Sequence, residues 1–101
     1  MGKTVVGDDG FFEWDEEKSN ANQRKHGVTF EEASLVFLDP KRIEYYDALH
    51  SMFEHRYITL GNASKSKVML MVVSSTNRGD RTRIISARRA SKLEEGLYYE
   101  G

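Results

Sequence analysis

KVMLMVVSS, residues 67–75, is the stretch from which the fold is read. Val68 to Val73 forms the longest unbroken apolar run of the chain. That run is far too short to span a membrane, and it suits a central strand covered on both sides. On its N-terminal side, Gly61 to Ser66 is turn-rich. Before that, Phe53 to Leu60 alternates, with Glu54, Arg56, Ile58 and Leu60 on one face and Phe53, His55, Tyr57 and Thr59 on the other. On its C-terminal side, Asn77 to Asp80 reads as a turn and Thr82 to Arg88 as the last strand. Arg42 to Tyr46 reads as a further strand, with Ala48 to Met52 as a polar connection.

The N-terminal half is helical in period. Phe11 to Trp14 predicts a short strand, after which Asp15, Glu16 and Glu17 complement the positive end of a helix that ends at His26, before Gly27. Thr29-Phe30-Glu31-Glu32 is a capping box that opens a second helix. Phe30, Ala33, Val36 and Phe37 give that helix an apolar face, and Asp39-Pro40 stops it. Ser91-Lys92-Leu93-Glu94 is another capping box, opening a terminal helix that carries Leu93, Leu97 and Tyr98. The predicted order is β-α-α-β-β-β-β-α. This is an α+β domain, with two N-terminal helices packed on a small, mainly antiparallel sheet and a short C-terminal helix. The expected division is a flexible leader over residues 1–10 and a single domain over 11–101.

The chain has 101 residues and no cysteine, so disulfides, thiolate zinc sites and a cysteine nucleophile are all excluded. No secretory signal is visible at the N-terminus, and the expected location is the cytoplasm. The net charge of −1 hides an uneven distribution. Residues 55–89 hold eight basic residues against Asp80 alone, whereas residues 1–17 hold one against six acids. Such asymmetry fits either a polyanion partner or solvated strand faces.

Four groups of residues can carry chemistry. Lys25-His26 ends the first helix, where the dipole favours a charged imidazole; His26 can be a proton donor, a phosphate ligand or a simple cap. Asp47, His50, Glu54, His55 and Arg56 lie close in sequence, but without HExxH or similar metal-ligand spacing. Glu54 and Arg56 share a strand face, which suits a base beside a phosphate-binding guanidinium and equally an ordinary ion pair. Arg78, Arg81, Arg83, Arg88 and Arg89 are all arginine, whose planar fork binds phosphate bidentately. Strict alternation puts Arg83 and Arg88 on opposite faces, so that one of them meets a given phosphate. Tyr98 can stack on a base or pack its helix onto the sheet. No nucleophile elbow and no glycine-rich phosphate loop occurs.

Together these segments resemble the BrnT family of bacterial toxin–antitoxin toxins. The matching stretches are Phe12 to Lys18, Asn22 to Ala33 and Val36 to Pro40, then Glu54-His55-Arg56 with Gly61, and Arg83 to Ala90 with Glu94 and Tyr98. The resemblance covers residues 11–100. It implies a RelE-like fold, cleavage of RNA that inhibits translation, and neutralisation by a BrnA-like ribbon-helix-helix antitoxin that carries the complex to operator DNA. Two departures are residues 1–10, which precede the usual start, and Glu95-Gly96-Leu97 in a terminal helix that is often basic in relatives.

RNA supplies its own nucleophile, the ribose 2′-OH, so cleavage without metal or cofactor needs a base, an acid and cations around one phosphate. The expected catalytic residues are therefore His26, Glu54, Arg56, Arg83 and Arg88, with Glu54 or His26 assisting the 2′-OH. Lys25, Arg78 and Tyr98 are the expected RNA contacts. The alternative is a non-catalytic module whose basic face docks an antitoxin or operator DNA.

Overall fold

The computed structural model describes residues 2–64, 66–67 and 69–100. Among these residues, six strands form one sheet: β1 (Thr4–Val6), β2 (Phe12–Asp15), β3 (Ile43–Tyr46), β4 (Arg56–Asn62), β5 (Leu70–Arg78) and β6 (Arg81–Arg89). Among the described residues three α-helices accompany them: α1 (Glu16–His26), α2 (Phe30–Ser34) and α3 (Lys92–Glu100). The strand order is β1-β2-β6-β5-β4-β3. Only β2 and β6 run parallel; the other neighbours are antiparallel.

The expected mixture of helices and a mainly antiparallel sheet is present, with four differences in detail. Residues 4–6, inside the expected leader, add an edge strand, because Thr4, Val5 and Val6 pair with Asp15, Trp14 and Glu13. The second helix is one short turn, after which Leu35–Leu38 tightens into a 3-10 turn. β4 begins at Arg56, three residues later than the alternation suggested. The apolar run does supply the central strand, but β5 starts at Leu70, and Val68 lies outside the described residues. β5 and β6 are joined by Gly79 and Asp80 alone, and Gly79 takes φ +59, the left-handed conformation that such a tight connection needs.

The sheet has two unequal faces. On the first, Trp14, Phe30, Val36, Met71, Val73 and Ile84 form the main core under α2 and the 3-10 turn, with Trp14 and Phe30 edge to face at 6.3 Å. On the second, Leu60, Leu70, Val72 and Ala90 form a smaller cluster against which Tyr98 of α3 packs. α3 covers only this end. The other end of the second face is open, and Arg56, Arg78, Arg81 and Arg83 lie there.

α1 runs beside β6 where β2 has stopped. Buried Asn22 takes the place of a strand partner: its Nδ2 donates to the Ala87 carbonyl at 2.8 Å, and the Ala87 N–H donates to its Oδ1 at 3.1 Å. This side-chain bridge satisfies backbone groups that an edge strand would otherwise leave exposed.

Candidate RNA-binding site

The arginines owe their common face to register. Arg56 of β4 is opposite Thr76 of β5, and Thr76 is opposite Arg83 of β6. The two arginines are thus two strand spacings apart, about 9–10 Å at the backbone. Two residues further along β5, Arg78 is opposite Arg81. All four belong to the open end of the second face.

Arg88 corrects the expectation from strict alternation. Ser74 pairs with Ser86, but Ser75 pairs with Ile84, so Ile85 is an extra residue in β6. Such a bulge resets the alternation. Ile84 and Ala87, three apart, are both buried on the first face. Arg83 and Arg88 consequently share the second face.

The guanidinium groups are organised by carboxylates. Glu54 lies between Arg78, at 3.3 Å, and Arg56, at 3.6 Å. Glu13, only 8% exposed, bonds Arg83 at 2.6 Å and lies 3.9 Å from Arg81. Each pair of arginines therefore already converges on one anionic group. Thr4 Oγ1 accepts a further, longer bond from Arg83. Arg56 Nε is a buried donor with no partner among the described residues, an arrangement that costs free energy until an acceptor arrives. Beside these rows, an open cleft of about 480 Å³ is lined by Asp15, Lys18, Arg78 and Arg83, among others.

The other expected residues go elsewhere. Lys25 and His26 are exposed at the far end of α1, a helix about 16 Å long whose first residues lie near Arg83. The structure does not bring them to Glu54 and Arg56. Arg88 makes a two-bond fork to Glu94 of α3, at 2.7 and 2.8 Å. The bonds from Arg88 and Ser91 hold the Glu94 carboxyl down to about 2 against the opposing effect of burial. The same pairing raises Arg88. The Tyr98 hydroxyl donates to Asp39 at 2.5 Å, and this bond, with burial, pushes the phenol up to about 12. Burial opposes ionisation of Asp39, but bonds from Tyr98, Asn62 N–H and Lys41 N–H outweigh it and lower its carboxyl. Arg88 and Tyr98 thus fasten α3 to the sheet.

His50 Nδ1 pairs with Asp47 at 2.9 Å, and His55 Nδ1 with the Tyr46 hydroxyl at 2.9 Å. Among the described residues, no three His, Asp or Glu side chains gather as a metal ion would require. The sequence reading gave Glu13 no role. The available signal was alternation: Phe12 and Trp14 point into the core, which sends Glu13 to the arginine face.

A sequence model described as "Ribonuclease toxin, BrnT, of type II toxin-antitoxin system" matches residues 14–94. The chain belongs to this family. It is therefore a ribonuclease toxin of a type II toxin–antitoxin system, with RNA as its target and an antitoxin as its partner. No curated protein matches the chain. The BrnT match takes in Glu54, Arg56, Arg78, Arg81 and Arg83, and it begins one residue after Glu13. No helix among the described residues is long and apolar enough to cross a membrane.

Proposed function

We propose that this BrnT chain cleaves RNA without a metal ion, at the open end of the second sheet face, and that a BrnA-like antitoxin neutralises it by covering that face. The observation that carries this reading is the pair of arginine rows, Arg56 with Arg83 and Arg78 with Arg81, in which four guanidinium groups pair with two carboxylates among the described residues, Glu13 and Glu54. A phosphate seated above Thr76 takes up the uncompensated positive charge.

In the proposed step, Glu54 accepts the proton of the 2′-hydroxyl. O2′ then forms a bond to phosphorus while the bond from phosphorus to O5′ breaks, and the departing O5′ takes a proton from solvent. Arg56 and Arg83 stabilise the charge that builds on the phosphoryl oxygens. Arg78 and Arg81 hold neighbouring phosphates. Lys25 and His26, a helix length away, are given contacts with more distant nucleotides instead of the reacting bond. Arg88 and Tyr98 are given the role of fixing α3. The two helices ahead of the antiparallel strands support a RelE-like reading of the fold, with one domain over residues 11–101 to which residues 4–6 add an edge.

The test is cleavage of a labelled RNA by the purified chain in EDTA. Cutting at the rate seen without EDTA, with a 2′,3′-cyclic phosphate on the product, is the expected result. Loss of cutting in EDTA, restored by a divalent cation, overturns metal independence. Binding without cutting returns the protein to the non-catalytic reading.

A further inference from the structure

We infer that Phe53 is a stacking platform for an unpaired nucleobase beside the successive phosphates that Arg56 and Arg78 hold. The inference rests on the ribonuclease reading and adds a base contact to it. Phe53 is 96% exposed, the most exposed of the large apolar side chains among the described residues. It directly precedes Glu54, so its Cα is one residue step, about 3.8 Å, from that of the carboxylate joining the two arginines.

The connection that presents it is braced. The Asp47 N–H donates to the Arg56 carbonyl at 2.8 Å, the Arg56 N–H to Ser51 Oγ at 2.9 Å, and Ser51 Oγ to the Asp47 carbonyl at 2.6 Å. Thr76 Oγ1 fastens the same segment to β5 by donating to the His55 carbonyl at 2.6 Å. An aromatic ring left in water on a fixed loop next to a cationic row is the arrangement by which single-stranded RNA is held: the cations take the backbone and the ring takes a base. Stacking tolerates any base, because every base has a π face. The contact therefore sets the register of the strand over Glu54 without selecting its sequence. Leu49 and Met52, also exposed in this connection, widen the apolar surface but cannot stack.

The experiment measures binding and cleavage of a short single-stranded RNA by the full chain and by Phe53→Leu, Phe53→Ala and Phe53→Trp, with the same RNA carrying one abasic position as a second substrate. Loss of the ring in the Leu and Ala variants is expected to weaken binding by about 5- to 150-fold, with kcat changed far less than KM and with Phe53→Trp near the parent. The parent is expected to lose the same factor on the abasic RNA, and Phe53→Ala to lose nothing further. Parent-like RNA binding and KM in Phe53→Leu overturn the inference while leaving the ribonuclease reading intact, and more firmly so if that variant weakens the antitoxin complex. Ring-dependent binding without cleavage supports the inference and sinks the ribonuclease reading. Absence of both binding and cleavage in the parent sinks both.

Discussion

Arg78 and Arg81 face each other across the hairpin they flank. Like charges at opposed positions on neighbouring strands destabilise a sheet, and here Glu54 and Glu13 reach in from either side to relieve the repulsion. Those carboxylates also aim the guanidinium groups of the inner row. Arg56→Ala removes a charge placed to act on the reacting phosphate, so kcat is expected to fall by about 100- to 1000-fold, with the denaturant midpoint little changed. An Arg56→Ala enzyme as fast as the parent in single-turnover assays rejects the proposed site. Glu13 acts differently. Its carboxylate is nearly buried and holds Arg83, whose side chain is 17% exposed. Glu13→Ala is expected to cost about 1.5–3 kcal/mol of stability in urea unfolding, the range for hydrogen bonds to charged groups. Its effect on kcat should be smaller than that of Arg56→Ala. A parent-like midpoint in Glu13→Ala shows that Arg83 needs no such anchor.

The elements divide into those that local patterning reveals and those that it cannot. The capping box at Thr29 and Glu32 forms as expected, with both reciprocal bonds present, because its signal lies within four residues. The apolar run of β5, the end of α1 at His26 and the opening of α3 were legible for the same reason. The bulge at Ile85 was not, since it is settled by how β5 and β6 register, and that register decides which arginines share a face. The length of the second helix was hidden too: the tertiary approach of Gly61 to the turn at Leu35–Leu38 intervenes. A Cβ on Gly61 would lie 3.0 Å from the Val36 carbonyl oxygen. A β-branched Gly61→Val must push this turn off β4, and a fall in thermal midpoint of several degrees is expected by calorimetry. The fastening of α3 has a pH signature. Glu94 has a folded value of about 2 against an ordinary 4.5, so its contribution to stability is complete above 4.5 and is lost as pH falls toward 2. Tyr98 is raised from 10.0 to about 12; its contribution is complete below 10 and is lost as pH rises through 12. Ultraviolet titration should show a tyrosinate that ionises late, near 12, and Asp39→Asn should bring it forward. A titration unchanged by Asp39→Asn disproves the latch.

For the whole molecule, a net charge of −1 gives no general attraction to RNA. Binding must come from the local field of the arginine face, which reaches no further than about a Debye length, roughly 8 Å at physiological salt. Acids farther away than that are screened from a strand lying on that face, so a nearly neutral protein can hold a polyanion, although Glu13, Asp15 and Glu17 beside the arginines subtract from the local field. Each phosphate neutralised on a single strand steepens the dependence of log affinity on log salt by about 0.7. With Arg56 and Arg83 sharing the reacting phosphate and Arg78 and Arg81 each holding one neighbour, three phosphates are neutralised and the slope is about −2.1. Replacing both Arg78 and Arg81 by Ala should flatten it to about −0.7, because these two are proposed to hold flanking phosphates. The inner row stays intact in that double variant, so the chemical step on bound RNA should persist at low salt. The decisive comparison is thus a salt series of RNA affinity, parent against double variant, with single-turnover cleavage at the lowest salt. A double variant with the parent's slope places the strand somewhere other than over the β5–β6 hairpin. A flattened slope with cleavage also lost at low salt moves Arg78 and Arg81 from holding the strand to breaking it.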